Sequence, residues 1–119
     1  MIRVSGWKSC VIAKDGQLSG VCDLGKPYEY AVIQVPTIDT ATLVVRASRE
    51  IDGTGIGLYI THDQTAVPVA LNVASGTGNF MWMIPLMGVQ YLWFYTGSAQ
   101  STAAVTFYVR GFNGAVKTN

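Results

Sequence analysis

Apolar and polar residues alternate along several short segments of this chain. In ATLVVRAS (41–48), Leu43, Val45 and Ala47 share one face of an extended strand, and the residues between them share the other. The segment AAVTFYVRGF (103–112) alternates in the same way. Successive side chains of a strand point to opposite faces, so this period of two predicts half-buried β-strands. No apolar pattern with the period of an α-helix persists long enough to predict a substantial helix.

Turn signals separate these segments at short and regular intervals. Examples are Asp15-Gly16, Gly25-Lys26-Pro27 and the glycine-rich stretch at 53–57. We predict strands at 9–14, 18–24, 29–35, 40–49, 57–62, 67–74, 79–84, 89–96 and 102–112. Short strands at such regular spacing predict a β-sandwich or a β-barrel.

Residues 78–98, GNFMWMIPLMGVQYLWFYTGS, contain no charged side chain, which raises the question of a membrane span. A spanning helix needs about 20 consecutive and mostly apolar residues. Pro85, Gly88 and Gln90 interrupt this run, and no cluster of Lys or Arg flanks it. Two short strands joined by a turn at 85–88 fit better, and we predict no membrane partner. Because neither FMWMI nor YLWFY alternates, we expect both faces of each strand to be covered, with the outer face covered by another chain.

The composition predicts one domain whose surface is largely covered by neighbouring subunits. The chain has 119 residues, a formal net charge of +1 and a charged fraction of 13%, about half of the ~25% that is usual for soluble domains. No acidic residue follows Asp63. The low net charge gives no general attraction to nucleic acid. We predict an N-terminal arm at 1–8, a β-sandwich domain at 9–112 and a C-terminal tail at 113–119.

Candidate catalytic and metal-ligating residues are few. His62 is the only histidine, and the adjacent Asp63 would point to the opposite face of a strand, where it cannot orient the imidazole. No helical pattern follows GTGIG (53–57), although a phosphate-binding loop must open a helix. Two cysteines and one histidine fall short of the four ligands of a structural zinc site. We therefore predict no enzymatic activity, no cofactor and no metal.

The two cysteines, Cys10 and Cys22, flank a predicted turn at 14–17 that could bring them close across a hairpin. Two cysteines without a secretion signal more often indicate reduced thiols than a disulfide. We expect the reduced form, and a disulfide is the alternative.

The aromatic and methionine-rich stretch at 80–95 has the composition of an obligate interface, which loses charge and gains aromatic residues and Met. The N-terminal arm adds apolar groups next to bases, a mixture that suits an acidic neighbouring surface. The predicted interface residues are Ile2, Arg3, Trp7, Met81, Trp82, Met83, Trp93 and Phe94. The aromatic rings could alternatively form a sugar-stacking platform, although this stretch offers few polar partners, only Asn79 and Gln90.

The order of the segments resembles a known family. VCDLGKPYEYAVIQVP is a strand ending in Asp-Leu-Gly and then a strand that runs into a proline turn. ATLVVRAS, LYITHD, VALNVASGTGNFMWMIP, VQYLWFYTGS and AAVTFYVRGF follow in that order. Over residues 21–112 this order resembles the small β-sandwich structural proteins of tailed bacteriophages, of the capsid cement or decoration type. One departure is that the chain stays uncharged from the YTGS turn to Arg110, where members of the family often have a charged or polar strand.

The resemblance implies an all-β fold, an antiparallel two-sheet sandwich that is jelly-roll-like, with about eight or nine strands. It implies a virion structural protein that is located on the capsid surface and assembled in the host cytoplasm. Its partners would be the major capsid protein and copies of itself in a trimer, with no nucleic acid, membrane or small-molecule ligand. The alternatives are a phage neck or tail accessory subunit and a small carbohydrate-binding β-sandwich module.

Overall fold

The chain folds into two antiparallel β-sheets that enclose one hydrophobic core. The computed structural model describes residues 3–39, 41–48, 50–51, 58–59, 70–73, 80–86 and 88–114. The strands are β1 (Arg3–Val4), β2 (Lys8–Ile12), β3 (Cys22–Asp23), β4 (Tyr30–Val35), β5 (Ala41–Ser48), β6 (Leu58–Tyr59), β7 (Ala70–Val73), β8 (Phe80–Pro85), β9 (Tyr91–Thr96) and β10 (Val105–Asn113). Across these ranges, no helix has the length and apolar character needed to cross a membrane.

The strand order is that of a jelly roll. In the first sheet, β2, β10, β4 and β8 lie side by side, and β1 continues the β2 edge by pairing with the far end of β10. In the second sheet the order is β3, β9 and β5, and β6 and β7 pair with different parts of β5. The last described strand, β10, thus lies between β2 and β4, as in the two interlocked Greek keys of a jelly roll.

These pairings confirm the predicted all-β, antiparallel, jelly-roll-like sandwich. Ten strands are described rather than eight or nine, mainly because Arg3 and Val4 pair with Asn113 and Phe112 inside the predicted N-terminal arm. The described part of that arm therefore lies on the first sheet. The boundaries of the arm, the domain and the tail remain predictions.

The core lies between the two sheets and is built by the alternation seen in the sequence. Leu43 and Val45 of β5 are fully buried, and so are Phe107 and Val109 of β10, as the period of two predicts. Phe94 of β9 stacks on Phe107 across the core, with ring centroids 4.9 Å apart and planes 19° from parallel. This stack joins the two sheets at the centre of the sandwich, because β9 and β10 belong to different sheets.

The two cysteines are free and buried. They do not face each other across a hairpin, because Cys10 lies on β2 of the first sheet and Cys22 on β3 of the second. A hydrogen bond between their side chains and burial in the core raise the pKa of the Cys10 thiol well above its usual range. Cys10 therefore stays protonated in the folded protein at neutral pH.

We expect this thiol to make the folded protein sensitive to alkaline pH. Folding raises the pKa of the Cys10 thiol. The thiol therefore makes its full contribution to stability below its pKa in the unfolded chain, about 9, and this contribution is lost as the pH rises above that value. Urea unfolding should give a larger loss of stability between pH 8 and pH 10 for the wild type than for Cys10→Val, by about 1 kcal/mol over the whole interval. Equal losses in the two proteins would contradict this expectation.

Candidate interaction surface

The outer surface of the first sheet exposes a group of large apolar side chains. Because Ile84 and the half-buried Trp82 point towards the core, their neighbours Met81 and Met83 point outwards and are 58% and 59% exposed. We call this surface the open face and define it by Trp7, Ser9, Val11, Val32, Gln34, Met81, Met83, Thr106, Tyr108 and Arg110.

The register of the strands places the side chains of the open face in rows across the sheet. One row runs from Tyr108 through Gln34 to Met81. The next row on this face runs from Arg110 through Val32 to Met83. Directly opposite side chains in neighbouring strands contact each other. Each row therefore connects a methionine on the edge strand β8 to a residue of the central strand β10.

Trp7 covers one end of the second row. The Arg110 guanidinium carbon lies 4.7 Å from the centre of the Trp7 ring, a cation–π contact. Among the described residues, the buried Nε of Arg110 has no hydrogen-bond partner. Arg110 is the only charged residue of the open face, so a partner that meets this face meets one positive charge in apolar surroundings.

The segment before β2 holds Trp7 in this place. Ser5 donates its backbone N–H to the carbonyl of Gly111 at 2.8 Å, and its hydroxyl oxygen accepts the Gly111 N–H at 2.9 Å. Together with the β1–β10 pairing, these two hydrogen bonds fix the chain along β10. Trp7 is therefore presented by ordered backbone and remains 42% exposed.

Stacked aromatic rings extend the open face at one end. The rings of Tyr30 and Phe112 have centroids 5.4 Å apart and planes 24° from parallel. These two residues oppose each other in the β4–β10 register, and both are half-buried. Their stack adds rigid apolar surface next to Val32 and Arg110.

The outer surface of the second sheet differs, because its central side chains are covered. Trp93 of β9 is only 5% exposed although it lies outside the core cluster, and Ser48 of β5 is 4% exposed. The Arg46 guanidinium carbon lies 4.1 Å from the centre of the Tyr95 ring. Among the described side chains of the strands, the large apolar ones that remain exposed all lie on the first sheet.

The predicted interface residues lie in different parts of the structure. Trp7, Met81 and Met83 are exposed at the open face. Phe94 is fully buried in the core and Trp93 is covered, so neither can contact a partner directly, and those two assignments are corrected. Trp82 is half-buried and packs against the core. Arg3 lies in β1, and Ile2 lies outside the described residues.

The outer face of β8 is not covered within the single chain, since Met81 and Met83 are exposed, and its coverage by another chain remains a prediction. Val11 and Tyr108, which are 46% and 45% exposed on the open face, are not among the interface residues predicted from the sequence. The alternation within 103–112 is the signal that could have identified Tyr108, because its neighbours Phe107 and Val109 are buried in the core.

A polar feature lies at one end of the sandwich, where Asp39 binds the loop before β10. Its carboxylate accepts hydrogen bonds from the Thr102 hydroxyl at 2.7 Å and the Thr102 N–H at 3.1 Å, and these lower the Asp39 pKa. The Asp39 N–H donates to the buried Gln100 side chain at 2.8 Å. A cleft of about 270 Å³ lies beside these residues, but the carboxylate is already engaged in joining two loops.

The other candidate chemistry has little support in the described residues. Where the chain is described, no three His, Cys, Asp or Glu residues are grouped so that they could hold a metal ion. His62, Asp63 and the GTGIG loop at 53–57 lie outside the described residues, so the interpretations given to them remain predictions.

Comparisons with known proteins add one structural likeness. No protein-family model and no curated protein sequence matches the chain. A chain in the cyanophage Pam1 capsid asymmetric unit matches with a TM-score of 0.44 and 14% sequence identity, over 93% of this chain and 82% of that chain. At this similarity the match does not establish a shared function.

Proposed function

We propose that this protein is a virion structural subunit of the capsid cement or decoration type, which binds the major capsid protein through its open face. The observation that carries the proposal is the exposure of Met81, Met83, Tyr108 and Val11 on one sheet, while the other sheet has its central Trp93 covered. Large exposed apolar patches on small proteins mark interaction sites. The order of strands and turns that resembles phage cement proteins suggests which assembly provides the partner.

The mechanism that we propose is adhesion by burial of apolar surface. Four strand positions about 4.8 Å apart and about six residues long give the open face an area of about 300–400 Å². This is less than the ~800 Å² per partner of a standard interface. A single contact would therefore be weak, and many copies on a repeating shell would supply the stability.

The charge on the open face specifies the partner further. Arg110 stacks on Trp7 and is the only charged residue among those that define the face. An opposing carboxylate in apolar surroundings would complement the Arg110 charge, and the same charge would repel a basic surface. We propose that the shell presents such a carboxylate between apolar side chains. Self-association is part of the same proposal: the resemblance implies a trimer, whereas the uncharged edge of β8 favours a dimer.

We expect Tyr108→Lys to weaken binding to shells assembled without this protein by about tenfold or more, because it places a second positive charge beside Arg110 and removes apolar contact. Ile51→Lys is the matched control, since Ile51 is 54% exposed but lies outside the open face. Co-sedimentation with the shells measures both variants. Equal binding by the two variants would contradict the assignment of the open face.

The number of copies per particle tests the position in the virion. Quantitative mass spectrometry of purified particles should give a ratio to the major capsid protein of about one, or a simple fraction such as about one-third, as lattice symmetry requires. A ratio of about one-hundredth would instead indicate a neck or tail subunit. Absence from particles would contradict a virion role, and glycan binding by the soluble protein would then favour the carbohydrate-binding alternative.

A further inference from the structure

The first sheet, as far as its residues are described, ends in the edge strand β8. β8 pairs with β4 on one side, and no described residue pairs with it on the other. Its sequence, FMWMIP, contains no charged residue. Unpaired edge strands are templates for pairing with another chain unless charges, bulges or coverage block them.

The backbone of β8 shows which groups face outwards. Leu86 donates its N–H to the Glu29 carbonyl at 2.7 Å, next to an uninterrupted β4–β8 register. In an antiparallel ladder, a residue's N–H and C=O point to the same neighbour, and alternate residues point to opposite sides. Ile84 and Trp82 therefore bond to β4, whereas Met81, Met83 and Pro85 direct their backbone groups away from the sheet.

The other sheet edges are protected. β2 begins with Lys8, and the carbonyl of Val11 on that strand already accepts the Gly20 N–H at 3.2 Å. β3 is two residues long and contains Asp23. β6 and β7 divide the remaining edge into segments of two and four residues. Among the described strands, β8 is the longest edge without a charge.

We infer that β8 pairs antiparallel with β8 of a second copy of this chain, about a two-fold axis at Trp82. This register places Met81 opposite Met83 of the second copy, so that both residues exchange their outward N–H and C=O groups. It gives four backbone hydrogen bonds and does not require the N–H that Pro85 lacks. A register centred on Met83 would oppose Met81 to Pro85 and lose two of these donors.

The side chains are also compatible with this pairing. Met81 and Met83 of the two copies would meet on the open face, and methionine adapts readily to such contacts. The two Trp82 residues would meet at the axis on the inner side, where each is half-buried at the edge of its core. Both contacts bury apolar surface that a single chain leaves exposed.

The dimer formed in this way would join the two first sheets into one, with eight strand positions. The two open faces would then be adjacent, and their combined area of about 600–800 Å² approaches the ~800 Å² per partner of a standard interface. An isologous pairing of edges closes as a dimer, in place of the trimer that the family resemblance implies. The edge pairing does not depend on the proposed function, because it concerns the isolated protein.

Cysteine cross-linking tests the register directly. Met81→Cys and Met83→Cys chains should form a disulfide-linked dimer when mixed and mildly oxidised, because directly opposite residues lie about 5.5 Å apart between Cα atoms, within the range of a disulfide. Each variant alone should cross-link much less, since identical positions are offset along the strand. The native Cys10 and Cys22 are buried and serve as the wild-type background.

Light scattering coupled to size exclusion provides the second measurement. The wild type and Met83→Leu should have the mass of a dimer, and Met83→Pro the mass of a monomer, because proline removes an outward N–H but no bond to β4. Circular dichroism verifies that Met83→Pro is folded, and if it is not, the cross-linking result decides. A monomeric or trimeric wild type, or equal cross-linking of single variants and mixture, would overturn the inference, whereas loss of shell binding alone would not.

Discussion

Replacing Phe94 by alanine is expected to cost about 3–5 kcal/mol of unfolding free energy. Phe94 is fully buried, and its ring stacks on Phe107 of the other sheet at 4.9 Å. The substitution removes this contact between the sheets and leaves a cavity that the surrounding strands can only partly fill. Because a domain of this size is stable by about 5–15 kcal/mol in total, much of that stability would be lost.

Urea unfolding followed by circular dichroism measures this loss, and Tyr108→Ala is the control. Tyr108 is an aromatic residue that is 45% exposed on the open face, so its truncation should cost about 1 kcal/mol or less. Similar losses for the two variants would mean that Phe94 is not a core residue. The comparison thus tests whether Phe94 belongs to the core, as in the structure, or to an interface, as the sequence predicted.

Gly111→Ala should destabilise the fold by about 1–3 kcal/mol or more, although it adds only one methyl group. A Cβ atom at this position would lie 2.5 Å from Cδ2 and 2.7 Å from Cγ of Tyr28, whose ring is buried against the strand. The glycine sits inside β10, between two neighbouring strands, so the backbone cannot move aside without disturbing both pairings. Glycine within a strand often marks such a close approach.

Two further variants test whether the Tyr28 ring causes the loss of stability in Gly111→Ala. Gly6→Ala, at a position with no atom near the added carbon, should leave stability within about 0.5 kcal/mol of the wild type. In a Tyr28→Ala background, Gly111→Ala should cost much less than in the wild type, because the clashing ring is gone. A cost that is the same in both backgrounds would exclude the ring as the obstacle.

The alternation of residues predicted the strands and their inner faces but not the availability of the outer faces. In YLWFY both faces are covered within the single chain, since Phe94 lies in the core and Trp93 is covered. In FMWMI the outer face is left open by the single chain, because Met81 and Met83 are exposed, and its coverage by another chain remains a prediction. Methionine and aromatic residues suit a core and an interface equally well. The position of each strand in its sheet decides between these roles, and that position is a long-range property.

The described part of the N-terminal arm illustrates the same limit of local pattern. Arg3 and Val4 have too few neighbours to show the alternation of a strand, yet they pair with Asn113 and Phe112. The partner is almost the whole chain length away, so no window of sequence contains the pairing. For this reason, only part of the open face could be predicted from the sequence. Trp7 was predicted as an interface residue from the mixture of apolar residues and bases in the N-terminal arm, but its contact with Arg110 depends on β1 being fixed along β10.

The central position of β10 has a consequence for the order of events during synthesis on the ribosome. β1 and β2 are made before β10, which is their partner in the first sheet. At about 5–20 residues per second, these early strands wait roughly 5–20 s for it. The nascent first sheet must therefore remain incomplete until β10 has been translated. Premature contact between nascent chains on one messenger is then a hazard that slow initiation, with wide spacing of ribosomes, would reduce.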